Sequence, residues 1–346
     1  MDAPVTRPVE GSTTLGVATE PEGRGGRSLR MMLSSAGRRV GLMRSFREAA
    51  VQLGVDLTLF ACDLQPDWSP ACMEADRAFA APPAESDAFI PAMLEICGRE
   101  GIELVVPTID TELLAYARAR DRFSAINCHV AVADEALVEM ARDKLATADF
   151  LRDTGLATPR TVSAEAFLDG SADLALPLLA KPRHGSSSRG IMMVQDREAV
   201  AALTHTEPYI LQQFLHGREY TVSIYFDGGG RMRCAIAHER LRVRAGEVEK
   251  GITCRDPRLL AMAWELGEIL EGARGALCFQ VRMEAGGAPS IFEINARFGG
   301  GYPLAHQAGA RFAQWMLEER LGLPSSADDD WREGVLMLRF DDAIFV

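Results

Sequence analysis

The chain has 346 residues, 47% hydrophobic and 25% charged, with a formal charge of −12 at pH 7. That length implies two or three packed units with ample core material, and it excludes a disordered, fibrous or disulfide-stapled chain. The negative field repels phosphate backbones and anionic lipid, so no nucleic-acid or membrane partner is expected and local basic groups have to hold any anionic ligand. Cys62, Cys72, Cys97, Cys128, Cys234, Cys254 and Cys278 are odd in number, scattered and without a C-x-x-C pair. They read as reduced buried thiols of a cytoplasmic protein, not as a metal or disulfide framework. No stretch approaches the ~20 continuous apolar residues of a membrane span, and the first residues lack the apolar run of a signal peptide.

Residues 1–29, rich in Gly, Pro, Thr and Glu, show no sustained period and predict a mobile extension. RMMLSS then predicts a strand, AGRR a tight turn, and Val40 to Leu53 a helix. DLTLFACD and ADRAFAAP predict two more strands, Asp87 to Gly98 a helix, and ELVVPTID a strand ending at Asp110. Strands alternating with helices argue a parallel α/β sheet, whose ligands gather beyond the carboxyl ends of its strands. Ser34, Asp63 and Asp110 occupy such ends, with helix or turn capping as the competing reading.

Asp134 to Thr154 reads as a helix with Asp143 and Lys144 inside it. LPLLAKP and IMMVQD flank a Gly/Ser loop, RHGSSSRG, and PYILQQFL leads into a long alternating hairpin that turns at DGGG. A helix from Pro257 to Glu271, strands GALCFQVRME and APSIFEINAR, a helical stretch from Pro303 to Leu321 and a strand GVLMLRF complete the chain, without internal repeats.

PSIFEINARFGGGYP carries the most chemistry. Residues two apart on a strand share a face, so Glu293, Asn295 and Arg297 point the same way, and Gln280 can be brought opposite. Carboxylate and amide oxygens converging from two strands suit Mg²⁺, which binds few protein ligands and keeps phosphates in its shell. An ion pair between Glu293 and Arg297 on a half-buried strand is the competing reading. In GSSSRG, small residues let backbone N–H groups approach phosphate oxygens. Ile191 and Met192 stand where a Walker loop needs Lys-Ser/Thr, so that motif fails. Lys144 and Lys181 can supply the missing charge, or be simply solvated. Arg240, Arg242, Arg244 and Lys250 suggest a strand face for a substrate carboxylate, or else the charged edge of a sheet. Gly299 to Gly301 admits close backbone approach, or is only a turn.

The ordered set Lys144, Lys181 with its Gly/Ser loop, LQQFLHGREYTV, Gln280 and FEINARFGGGYP resembles the ATP-grasp superfamily. With SSAGRR, PTIDTEL, RVRAGEVEKG and LRFDDAIFV it resembles the carbamoyl-phosphate-synthetase-like branch of carboxylate–amine ligases. The resemblance implies an α/β fold: a disordered extension (1–29), a Rossmann-like pre-ATP-grasp domain (30–135), then the two-subdomain ATP-grasp fold, small (136–215) and large (216–346). It implies ATP and one or two Mg²⁺. Lys144 and Lys181 would hold α/β-phosphate oxygens, and Ser186, Ser187 and Ser188 would close over the β/γ-phosphates. Gln212 would meet the adenine amine, Phe214 and Leu215 would form the hinge that reads the adenine edge, and Glu219 would accept from the ribose. Gln280, Glu293 and Asn295 would bind Mg²⁺, and Arg297 would steady the transferring phosphoryl group. Gln212 and Gln280 replace the commoner acidic residues, leaving Glu293 as the one anionic metal ligand of the set. Substrate contacts would come from Arg242, Arg244, Lys250, Gly300 and Asp110.

The expected reaction is ATP-dependent joining of a small-molecule carboxylate to an amine through an acyl phosphate. The alternatives are a carboxyl- or carbamoyl-phosphate-forming enzyme of the same fold, and a nucleotide-binding subunit without turnover. A homodimer is the oligomer considered.

Overall fold

The computed structural model describes residues 26–185, 189–203 and 207–345. A first, wholly parallel sheet has the order β3-β2-β1-β4-β5. Its strands are β1 (Ser28–Ser34), β2 (Asp56–Asp63), β3 (Arg77–Ala80), β4 (Leu104–Pro107) and β5 (His129–Val130), interleaved with α1 (Val40–Leu53), α2 (Pro70–Glu74), α3 (Phe89–Glu100) and α4 (Asp110–Ser124). Strand β1 starts within the stretch read as a mobile extension. Asp110 is the first residue of α4, not the last of a strand.

The expected helix 134–154 is two helices, α5 (Glu135–Arg142) and α6 (Lys144–Asp153). Asp143 interrupts it with extended backbone and a side chain that accepts from the N–H groups of Leu145 and Ala146. The short polar side chain competes for the backbone donors, as an N-cap does. The next sheet is antiparallel, order β6-β9-β7-β8, formed by β6 (Thr161–Ser163), β7 (Leu178–Pro182), β8 (Met192–Val194) and β9 (Tyr209–Gln213), with α7 (Ala164–Asp169) and α8 (Arg197–Leu203) on it.

The last sheet is antiparallel, order β14-β13-β10-β11-β12-β15. Its strands are β10 (Arg218–Phe226), β11 (Met232–Arg244), β12 (Glu247–Cys254), β13 (Gly275–Met283), β14 (Ser290–Asn295) and β15 (Leu336–Leu338); α9 (Pro257–Ile269), α10 (Tyr302–Ala308) and α11 (Phe312–Arg320) join them. The stretch expected as one helix from Pro303 breaks at Gly309, whose φ of 116° ends α10.

Three apolar clusters hold the fold. One unites Leu42 and Phe46 of α1 with Tyr302, Phe312 and Trp315, so the first sheet and the last sheet share a core. A second joins Met32, Tyr116 and Phe123 to Phe279 and Ile294. The third, with Phe167, Leu178, Val200 and Leu211, belongs to the four-stranded sheet alone. None of the seven cysteines is in a disulfide; six are buried and Cys254 is half-buried.

Candidate active site

Two joined clefts lie between the sheets. The first, about 430 Å³, is bounded by Lys144, Lys181, Gly185, Gln212, Phe214, Leu215, Glu219, Gln280, Arg282, Phe292 and Glu293. The second, about 260 Å³, reaches the carboxyl ends of β1 and β4 and is bounded by Arg39, Thr108, Asp110, Thr111, Glu247, Cys278, Asn295, Arg297 and Gly299 to Gly301. Arg240, Gln280 and Glu293 border both.

Strand pairing positions the acidic end. Gln280 of β13 stands opposite Glu293 of β14, and Cys278 opposite Asn295. The register slips between Gln280 and Val281, leaving Phe292 as an extra residue. Such a bulge turns neighbouring side chains toward one side, and both Phe292 and Glu293 border the first cleft. The ring of Phe292 lies 4.9 Å from Lys181 Nζ, a cation–π contact that suits a lysine with little water around it.

Lys181 is 5% exposed, and Nζ donates to Gln212 Oε1 at 2.7 Å, while Gln212 Nε2 donates to Thr161 Oγ1 at 2.9 Å. Burial, helped by the charge of Lys144 and opposed by Glu293, lowers its pKa to about 8. Lys144, the first residue of α6, donates from Nζ to the carbonyl of Gly185. Burial lowers its pKa as well, against the pull of Glu293.

Glu219 Oε2 accepts from Arg282 at 2.9 Å, and its Oε1 accepts from Arg240. Arg240 also donates to Gln280 Oε1 at 2.8 Å and to the carbonyl of Gly246 at 2.7 Å. Arg297 donates to Asp110 Oδ2 at 2.7 Å, to Asn295 Oδ1 at 3.1 Å and to the carbonyl of Phe298 at 3.1 Å. Burial disfavours both charges of the Arg297–Asp110 pair, yet mutual attraction keeps the carboxyl below its usual range and the guanidinium above its own. The competing reading, an ion pair of Arg297 with Glu293, does not hold among the described residues: Arg297 pairs with Asp110.

Glu293 has no hydrogen bond or ion pair among the described residues. Gln280 and Asn295 have each filled one acceptor position of their amide oxygen and retain a second. This donor set suits a hard divalent cation that keeps phosphate or water oxygens in its shell. Among the described residues no three His, Cys, Asp or Glu side chains gather to hold a metal by themselves.

Ser186, Ser187 and Ser188 lie outside the described residues. Arg242 and Arg244 are directed elsewhere: the register of β11 against β12 slips twice between Arg240 and Val243, so the three arginines do not share one face. Arg242 pairs with Glu249, and Arg244 with Asp341 and Glu249. Lys250 is half-exposed opposite Leu338 and borders neither cleft. Gly300 and Asp110 border the second cleft. Arg39, Glu247 and Arg339 escaped the sequence reading. Glu247 Oε2 accepts from Arg339 at 2.9 Å, and Arg339 also donates to the carbonyl of Gly300. A Cβ on Gly300 would stand 2.7 Å from the Glu247 carboxyl carbon, so that carboxylate lies directly against the triple-glycine loop.

Residues 31–131 match the family described as PylC-like, N-terminal domain, and residues 141–301 match the ATP-grasp domain. The D-alanine–D-alanine ligase of Pseudomonas entomophila is 34% identical over 93 residues, 25% of this chain and 29% of that protein. The ligase of the same name from Chromohalobacter salexigens is 37% identical over 97 residues, 25% of this chain and 31% of its own. The chain thus matches less than a third of the length of these relatives. Among solved structures, the biotin carboxylase domain of Hydrogenobacter thermophilus 2-oxoglutarate carboxylase superposes with TM-score 0.71 at 14% identity, over 88% of this chain and 73% of that one. The L-amino acid ligase of Bacillus licheniformis superposes with TM-score 0.64 at 22% identity, over 89% and 78%. The chain carries an ATP-grasp domain at 141–301, with a PylC-like N-terminal domain ahead of it at 31–131.

Proposed function

We propose that this protein is an ATP-dependent carboxylate–amine ligase that forms an amide or peptide bond through an acyl phosphate, releasing ADP and phosphate. The observation that carries the reading is the junction of the two clefts, where Glu293, unpaired among the described residues, borders both together with Gln280 and Arg240. A nucleotide in the larger cleft and a carboxylate in the smaller would meet there. The curated relatives, D-alanine–D-alanine ligases, and the L-amino acid ligase support it.

A carboxylate is a poor acyl donor because its leaving group would be oxide, and phosphorylation cures that. Bound Mg-ATP supplies the phosphoryl group; the protein has to position it and neutralise charge. Lys144 and Lys181 are the groups for α/β-phosphate oxygens, with Ser186 to Ser188 as the covering loop. Gln212 keeps a free acceptor position for the adenine amine, and the Phe214–Leu215 backbone serves as the hinge. Glu219 has to share its carboxylate between ribose hydroxyls and its two arginines. Gln280, Glu293 and Asn295 would hold Mg²⁺. Arg297, fixed by Asp110, holds its positive charge beside the reacting oxygens. Closing of the cleft excludes the water that would hydrolyse the acyl phosphate. We assign the pre-ATP-grasp domain to 30–135, the small subdomain to 136–215 and the large one to 216–346. The relative described as a carboxylase domain dimer supports a homodimer, which sedimentation would test.

The deciding assay incubates the protein with Mg-ATP, hydroxylamine and pooled amino acids and other carboxylates. Carboxylate-dependent ADP release with hydroxamate is expected. ADP release no higher than that of Glu293→Ala would overturn the ligase reading.

A further inference from the structure

The smaller cleft is bordered by three arginines, and they differ in how far they are already committed. Arg240 and Arg297 each make several short hydrogen bonds to carboxylate, amide or carbonyl oxygens. Arg39 makes only longer contacts: it donates to Thr108 O and pairs with Glu247 Oε1, both at 3.4 Å. Its side chain is 17% exposed. A guanidinium has five N–H donors in a planar fork that matches a carboxylate in bidentate fashion. Glu247, its nearest anion, is engaged more closely by Arg339.

Arg39 follows β1, at the carboxyl end of the parallel sheet, and borders the smaller cleft alone, whereas Arg240, Gln280 and Glu293 frame its junction with the larger one. A carboxylate bound by Arg39 is therefore taken as a second one, beside the carboxylate that meets the nucleotide at the junction. We infer that Arg39 anchors a second, non-reacting carboxylate of the substrate, so that the cleft selects an acid function at the far end of the bound molecules. That function belongs either to an amino acid acting as the amine or to a dicarboxylate acting as the acyl donor. The inference rests on reading the smaller cleft as the substrate cleft, but not on turnover.

The test is accordingly a binding measurement without nucleotide. The wild-type protein is melted with single amino acids, with their methyl esters, and with succinate and other dicarboxylates. Stabilisation by free acids and not by the esters is expected, and amino acids against dicarboxylates separates the two sources. Arg39→Gln should weaken the binding about tenfold or more, the size of one lost charge-assisted contact. Glu247→Gln removes the bridge between β12 and the turn after β1 but keeps Arg39 and frees it, so this variant should retain or tighten binding. Equal loss in both variants would make Arg39 a pin between the units and overturn the inference, as would esters that bind as well as acids, or no stabilisation by any acid. Acid binding through Arg39 in a protein that yields no ADP would refute the ligase reading alone.

Discussion

Lys181 shows what burial does to a charge proposed to hold phosphate. With its pKa near 8 the amine is half neutral at pH 8, and phosphate oxygens beside it would restore the proton. Nucleotide binding near pH 8 should therefore take up protons, and affinity should fall as pH rises further. Calorimetry in buffers of different ionisation enthalpy reads this directly; a binding heat independent of buffer at pH 8 would contradict it. The folded value lies below the ordinary value of ~10.4, so between the two the unfolded chain holds more protons and this lysine makes stability rise with pH. Glu293→Gln keeps the volume but removes a carboxylate that is unpaired among the described residues. Activity should drop about a hundredfold or more, as for loss of a charge-stabilising group, with circular dichroism unchanged. The convergence of Gln280, Glu293 and Asn295 was legible because strand alternation fixes their faces, whereas Lys144, at the start of α6, and Lys181 were reached through the resemblance. Arg39 and Glu247 were not, since residues 208 apart in sequence meet only through packing of the parallel sheet on the antiparallel one.

At the scale of elements, local polar chemistry overrode apolar period. Asp143 caps α6 and also takes both arms of Arg183, at 2.6 and 2.9 Å, which aims Lys144 at the loop after β7. Asp143→Ala should cost about 1 kcal/mol for the lost cap and weaken nucleotide binding as Lys144 loses its orientation. An unchanged melting temperature would contradict the cap. In β11, His238 is fully buried, and among the described residues neither ring nitrogen is hydrogen-bonded. Burial, reinforced by the charges of Arg240 and Arg339, lowers its pKa from 6.5 to about 3. The unfolded chain takes up this proton first, so its contribution to stability is complete above pH 6.5 and lost as pH falls toward 3. The slope is at most about 1.4 kcal/mol per pH unit for one proton. Denaturant titrations of wild type and His238→Leu should differ in slope across that window and nowhere else. Alternation along β11 predicted three arginines on one face, and only the register slip, a property of its pairing with β12, separates Arg240 from Arg242 and Arg244.

For the whole molecule, the order of strands and helices gave the parallel sheet, the hairpin and the paired strands of the acidic end. What it left open was which units share a core. Helix α1 packs on α10 and α11 so closely that a Cβ on Gly41 would stand 2.9 Å from Pro303, and Arg311 with His306 holds Glu48 across the same seam. The four-stranded sheet keeps a separate core, so it is the unit free to open locally. Amides of β7 and β9 should exchange hydrogen together in the free protein and slow when Mg-ADP is added. Exchange unaffected by nucleotide would place the moving part elsewhere.

The burial of the thiols has a practical consequence. Six of the seven are enclosed and the seventh is half covered, and burial pushes the Cys278 thiol, at the floor of the smaller cleft, up to about 11. Alkylating reagents at neutral pH should thus find little thiolate to attack. One cysteine introduced on the surface of the four-stranded sheet would take a fluorophore almost alone, and its emission would time the closing of the cleft turnover by turnover.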